Sequence, residues 1–546
     1  MASTDALDVT SPLRWSGTCS WTKADFTSRM PELLRDDPRR ADVPMFRPAV
    51  TLLEELAETE RQRRQAALLG RMDHIYAYSL FLGVLGSAHA HWLRRELALA
   101  LAASLRFLKL ALSAPPDQVP ELEALRRQLR GEDPAMASYL ETVLRTSLLH
   151  HQAHQPHPRA YGVFDRLPFY LECGGDVMMG AHGPVLSEFQ VAYQGYPHAE
   201  QMVQAAYAAT LPELFDGYAL RLDDFTERRG RQLEAAIGLL AGRTPPSRVG
   251  RVVVDAWSQP GHENGSHAPL AAALGAELLY FDHQKRSENR YAALRKGFDK
   301  LFVFNQPGVC FLDPEAPHCA AYNAEEIEVY PELGWRGVID DYFAGRTLLS
   351  VPPPADILND KAFYPLVRPL VRFFFERDLE LPVADARPLW DPEDPRRPNR
   401  AVFGWALEHQ EQAVIAHRYL EGGMGIRVGA YLEPAAYRAF LEQQVARRPS
   451  LFVLRGFYPM APVHSLRAYL SALIAPGAGQ LETRVEVSDL FCGRITLERS
   501  VDNTAAGGQC FDAWESRLPG YSEAYDRQLG ELRRQHPAGG PTRVPV

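Results

Sequence analysis

Residues 412–429, QAVIAHRYLEGGMGIRVG, set a basic pair, an acid and a glycine cluster between two apolar runs. Residues 413–416 and 426–428 read as strands, with His417, Arg418, Glu421, Gly422, Gly423 and Gly425 between them. Glycines let the backbone approach a ligand and turn its N–H groups toward it, and the cations add charge, so a polyphosphate suits this stretch. Glu421 then offers carboxylate oxygen to the divalent cation that a polyphosphate brings. The same pattern also describes a plain hairpin with a glycine tip. It is neither a Walker loop nor a dinucleotide fingerprint, since no Gly-Lys-Ser/Thr follows and no helix is predicted to open there.

Other candidates lie apart in the chain. Residues 161–197 read as two strands around a turn at 182–184. On the second, Glu188 and Gln190 stand at i and i+2 and project from one face, while Asp176 sits on the first. Carboxylates and an amide carbonyl there can share a magnesium ion, or simply form a solvated strand face. Lys361 precedes the apolar run AFYPLVRPLVRFFFE and reads as a phosphate ligand at a helix start or as a surface lysine. His262, Glu263 and Asn264 follow the apolar strand GRVVVDAW. Parallel sheets bind ligands at that end, so these three are candidate substrate contacts or ordinary loop polarity. His150, His151, His154 and His157 are interrupted by Pro156 and Pro158, which favours an exposed loop over a zinc site.

The elements that would position these groups follow from periodicity. Helical spacing dominates residues 49–113 and 121–149, including the apolar run 74–93, predicted as a buried helix rather than a membrane span. Residues 250–305 read as strand, helix, strand, strand, a small α/β unit with a parallel sheet. Residues 451–454 form a further strand, and 482–490 with 494–499 an antiparallel pair. The 546 residues, net charge −9 and pI near 6.0 suit a multidomain protein and argue against general nucleic-acid binding. Six scattered cysteines without a CxxC pair favour a reducing cytoplasm, and the N-terminus shows no apolar leader.

In chain order these parts resemble the ATP-grasp superfamily, in the circularly permuted branch that includes the eukaryotic-type glutathione synthetases. That branch carries a Glu-x-Asn metal strand, a Rossmann-like substrate domain and a lysine at a helix start. A Lys-x-x-x-Glu-Gly-Gly loop, a hinge strand and an arginine before a glycine pair follow. The matching positions are Glu188-Phe189-Gln190 with Asp176 ahead, Lys361, His417 through Gly423, residues 451–459, and Arg499 before Gly507-Gly508. The resemblance covers about residues 160–515. It implies a mixed α+β, α/β fold with a two-lobed nucleotide site. The boundaries would be a helical region 1–158, metal strands 159–245, a substrate domain 246–350, a glycine-loop lobe 351–475, closing strands 476–525 and a tail 526–546.

The activity implied is ATP-dependent joining of a small carboxylate to an amine through an acyl phosphate, with ATP and Mg2+ and without nucleic-acid or membrane partners. Glu188, Gln190, Glu421 and Asp176 would hold the metal. Lys361 with His417 or Arg418 would neutralise phosphates under a lid of Gly422, Gly423 and Gly425. Leu454 and Phe457 would frame adenine, Arg499 and Arg418 would act in catalysis, and His262, Glu263 and Asn264 would meet the substrate. The chain departs from the pattern at His417 (lysine expected), Gln190 (asparagine expected) and Arg455 (acidic or neutral expected), with Arg427 a further source of charge. Those departures imply an alternative, a nucleotide-binding or scaffolding protein that has lost catalysis.

Overall fold

The computed structural model describes residues 57–72, 78–132, 134–146, 150–151, 155–156, 161–180, 183–191, 197–217, 219–221, 223–242, 246–255, 267–280, 294–305, 322–323, 326–327, 338–391, 393–418, 426–458, 460–476, 483–495 and 509–517. The strands of its larger sheets are β1 (Tyr78–Gly86), β2 (Phe169–Gly180), β3 (Gly183–Gln190), β4 (Val249–Asp255), β5 (Glu277–Tyr280), β6 (Lys300–Asn305) and β7 (Thr347–Leu349). They continue with β8 (Ala386–Pro388), β9 (Ala413–His417), β10 (Ile426–Val428), β11 (Phe452–Gly456), β12 (Met460–Ile474), β13 (Thr483–Ile495) and β14 (Gln509–Ser516). A six-stranded sheet has the order β1-β14-β13-β12-β2-β3, and two four-stranded sheets run β7-β6-β4-β5 and β8-β11-β9-β10. The fold is mixed α/β, and no helix among the described residues is long and apolar enough to cross a membrane.

The sheet β7-β6-β4-β5 is parallel throughout, as the strand–helix–strand spacing predicts. Val252, Val253, Leu301, Phe302 and Val303 are buried in consecutive positions, the pattern of strands covered on both faces. In the six-stranded sheet the predicted hairpin is β2–β3, antiparallel. Two expectations are corrected here. Within the run 74–93 the described residues form a strand, β1, from Tyr78 to Gly86, followed by the helix Ser87–Ala111; a short apolar run does not separate strand from helix by period alone. Within the pair expected at 482–490 and 494–499, the described residues 483–495 form one long strand, β13, whose neighbours are β12 and β14.

The helix Ser87–Ala111 buries Leu93, Leu97, Ala100, Leu101, Ser104, Leu105 and Leu108, a stripe spaced by three and four. Leu97 packs over Gly175 on the face of the six-stranded sheet away from Asp176, and Phe107 meets Phe363 at 5.8 Å. The helix Ser87–Ala111 therefore backs the strands that carry the candidate site. Lys361 is not at a helix start. It lies in a turn between the 3-10 segments Pro353–Asn359 and Tyr364–Leu366, and the helix Val367–Phe375 opens later.

The sheet β8-β11-β9-β10 presents Ala413, Ile415, Phe452 and Leu454 to the residues Val402, Ala406, Tyr437 and Leu441. Asn399 caps the helix Arg400–Glu408 by accepting from the Val402 N–H. Its opposite face, with Ala416 and Val453, joins the main core. Gly429 follows β10 where a Cβ would sit 2.0 Å from the Gln410 carbonyl oxygen, so the turn back along β9 admits glycine alone.

Candidate functional site

The six-stranded sheet and the sheet β8-β11-β9-β10 approach each other at β3. Leu186 forms a parallel bridge with Val383; its N–H donates to the Pro382 carbonyl, and the Ala384 N–H donates to its own. The chain then continues into β8. Farther along β3 the Phe189 N–H donates to the Tyr364 hydroxyl and the Val191 N–H to Asn359 Oδ1 at 2.9 Å. These bonds satisfy the outer edge of the strand. They also set the turn that carries Lys361 beside it.

The register of β2 on β3 slips between Asp176↔Glu188 and Val177↔Leu186, so Ser187 is the extra residue of a β-bulge. The bulge keeps Glu188, Gln190 and Val185 on one face with Asp176 and Met178. Lys361 Nζ reaches Glu188 Oε2 at 3.4 Å. The structure thus brings together two predicted residues from distant parts of the chain. Glu188 is 23% exposed and Lys361 is buried.

Asp176 and Gln190 are used differently from the expectation. Arg467, opposite Asp176 on β12, grips that carboxylate with Nε at 2.5 Å and Nη2 at 2.6 Å, and also donates to Gln190 Oε1. Arg494 on β13 adds a contact to Asp176 Oδ2 at 3.2 Å. Gly174 makes this possible, because a Cβ there would lie 2.8 Å from the Arg467 side chain. Both groups expected on the metal are therefore held by arginine. Burial disfavours the Asp176 charge and is the largest influence on it, but Arg467 and Arg494 together outweigh it and hold the carboxyl below its ordinary range.

A folded-state pKa below the unfolded one gives stability that is present above the ordinary carboxylate range and lost as pH falls through it. Asp176→Asn should consequently be less stable than wild type at pH 7, with the gap closing below about pH 4. Urea midpoints measured from pH 3 to 7 check this. A gap independent of pH would show that the arginines do not depend on the Asp176 charge.

The glycine-loop cations also depart from expectation. Arg418 is 2% exposed and locked to Asp360, with Nε to Oδ1 at 2.9 Å and Nη2 to Oδ2 at 2.5 Å. It lies 4.5 Å over Trp390 and donates to the Ser450 carbonyl. This is a buried strut rather than a phosphate ligand or a catalytic group. His417 stands opposite Phe452, edge-on to its ring at 5.3 Å, on the face that packs against Tyr437 and Leu441. Arg427 lies on that face too, 5.5 Å over Phe440, where burial lowers its pKa. Leu454 also faces those helices, so it does not frame a base; Phe457 rests edge-on to Tyr431 at 6.0 Å. Glu421, Gly422, Gly423, Gly425, His262, Glu263, Asn264 and Arg499 lie outside the described residues.

Among the described residues Arg467 and Arg494 meet Asp176, Lys361 meets Glu188, and Arg455 donates to the carbonyl of Ser187 beside them, four cations near two carboxylates. Such a site suits an anionic ligand. Sequence reasoning passes over Arg467 and Arg494, although each is the lone charge of an otherwise uncharged run, SLRAYLSALI and LFCGRITL. Beside these charges Met178, Val185, Ala384 and Tyr458 form a separate small apolar cluster. The face along β3 is therefore polar at Glu188 and apolar at Val185.

Among the described residues Glu188 is the site carboxylate left for a divalent ion. A magnesium ion that keeps several waters and binds phosphate needs one or two carboxylates, so the residues fit it.

No family model matches the chain. An uncharacterized protein from Synechocystis sp. is 22% identical over 265 residues, which is 47% of this chain and 49% of that protein. The chain thus spans about half the length of that curated relative. Among solved structures, a glutathione synthetase-like effector from Globodera pallida, in its apo form, is similar with a TM-score of 0.43 at 10% identity, covering 84% of this chain and 97% of the other.

Proposed function

We propose that this chain is an ATP-dependent carboxylate–amine ligase of the ATP-grasp type, acting on a small acid and a small amine. The observation that carries the reading is the pairing of Glu188 with Lys361 at the seam of the six-stranded sheet and the sheet β8-β11-β9-β10, with an apolar cluster beside it. A nucleotide has the same two-part character. In the reaction a substrate carboxylate attacks the γ-phosphorus, the bond to ADP breaks, and an acyl phosphate forms. The amine then displaces phosphate and loses a proton to give the amide.

Lys361 neutralises phosphate charge, and Arg467 and Arg494 give the same face of the sheet a positive field toward the developing charges. Glu188, with Glu421 as second carboxylate, would hold Mg2+, which would offset phosphate charge. Arg499 is assigned to the acyl phosphate, and Gly422, Gly423 and Gly425 to a covering loop that excludes water.

The test is ADP release from purified protein with magnesium–ATP, screened against pools of small acids. Stimulation by one acid, rising again with an amine, is expected. A second reading, a nucleotide-binding protein without catalysis, is favoured by one observation: Arg467 occupies both Asp176 and Gln190. ATP binding with flat ADP release across the screen would select it.

A further inference from the structure

Arg455 on β11 is 7% exposed, yet among the described residues it makes no ion pair. Its Nη2 donates to neutral groups, the Ser187 carbonyl at 3.0 Å and the Ser187 hydroxyl at 3.3 Å. A buried guanidinium without a counterion is costly, and such a cost persists where a ligand supplies the missing charge. Its position says which ligand atom. Ser187 is the bulge between Glu188, which meets Lys361, and Val185, which belongs to the apolar cluster with Met178, Ala384 and Tyr458. Arg455 therefore stands where the polar half of the face meets the apolar half. A ligand lying along β3 with its ring on the apolar cluster and its charge at Lys361 passes Arg455 with whatever joins the two.

We infer that Arg455 binds the α-phosphate of a nucleotide, the first anionic group after the sugar, by charge-assisted hydrogen bonds. The inference rests on the nucleotide reading above and deepens it. It also accounts for His417. The position expected to hold a cation lies on the helix-covered face of the small sheet, whereas Arg455 lies on the other face, three residues beyond the partner of His417 on β11.

The experiment is calorimetric titration of wild type, R455Q, R455K and K361Q with adenosine, AMP, ADP and magnesium–ATP, together with the Tm of each ligand-free protein. R455Q should weaken AMP, ADP and ATP by a similar factor, roughly ten- to a hundredfold, and leave adenosine unchanged. R455K, which keeps the charge without the planar fork, should fall between R455Q and wild type. K361Q should weaken ATP and ADP while sparing AMP. Ligand-free R455Q should melt no lower than wild type, since it removes an unpaired buried charge.

Equal affinity of R455Q and wild type for AMP would overturn the inference and leave the nucleotide reading standing. So would an equal loss on adenosine and AMP, which would place Arg455 on the base. A marked fall in ligand-free Tm would make Arg455 structural, and R455K, which retains the reach to Ser187, would then show no loss on AMP relative to adenosine. Wild type that binds none of the four ligands would overturn the nucleotide reading itself.

Discussion

Glu188→Gln is expected to lower ADP release at least ~100-fold while the protein stays folded. Glu188 is the carboxylate of the site that no arginine claims among the described residues, so none of those residues replaces it for a divalent ion. The glutamine retains shape and a carbonyl but loses the charge that draws both the ion and the Lys361 ammonium. Because Glu188 is partly exposed, solvent screens part of the lost ion pair, and the stability change should stay small beside the kinetic one. Steady-state ADP release and a melting curve on the same preparation separate the two effects. Turnover at the wild-type rate would remove Glu188 from the metal assignment.

Arg418→Met should destabilise the protein by about 3–5 kcal/mol, because it strands the Asp360 carboxylate in a site where both partners are fully buried. The loss reaches beyond one ion pair. Asp360 Oδ1 also accepts from the Ala362 N–H, the Lys361 N–H donates to the Arg418 carbonyl, and the Arg418 N–H donates to the Leu451 carbonyl. The strut thus ties the root of the glycine loop to the turn that aims Lys361. Arg418→Lys should recover only part of the loss, since an ammonium neither bonds both Asp360 oxygens nor stacks on Trp390 in the same way. Denaturant titration gives the number. A loss under about 1 kcal/mol would mean that the pair contributes no more than a surface one.

These two residues show how far the sequence could be read. The Glu188 face, the parallel unit and the strands around the glycine cluster followed from period-two and apolar patterns, which are local. Arg418 did not. Beside a glycine loop, its type and position suit phosphate, and only the arrival of Asp360 and Trp390 from other segments gives it a different role. The same holds for Asp176 and Gln190, whose expected metal role depended on what stood opposite them, and Arg467 lies far along the chain. β1 was missed for another reason. Its apolar residues carry no period that separates strand from helix, and its partner β14 lies near the other end of the chain.

The order of those pairings bears on how the chain is made. Asp176 is 291 residues ahead of Arg467, and β2 lies open on one edge until β12 exists to pair with it. At a synthesis rate of 5–20 residues per second, that interval is about 15–60 seconds. Through it, a nascent chain carries a largely apolar strand edge and an acid still without its arginines, and both favour capture by chaperones or by another chain. The arginine-lined face that would receive an anion is completed only when β12 and β13 emerge, so truncated products should aggregate rather than bind.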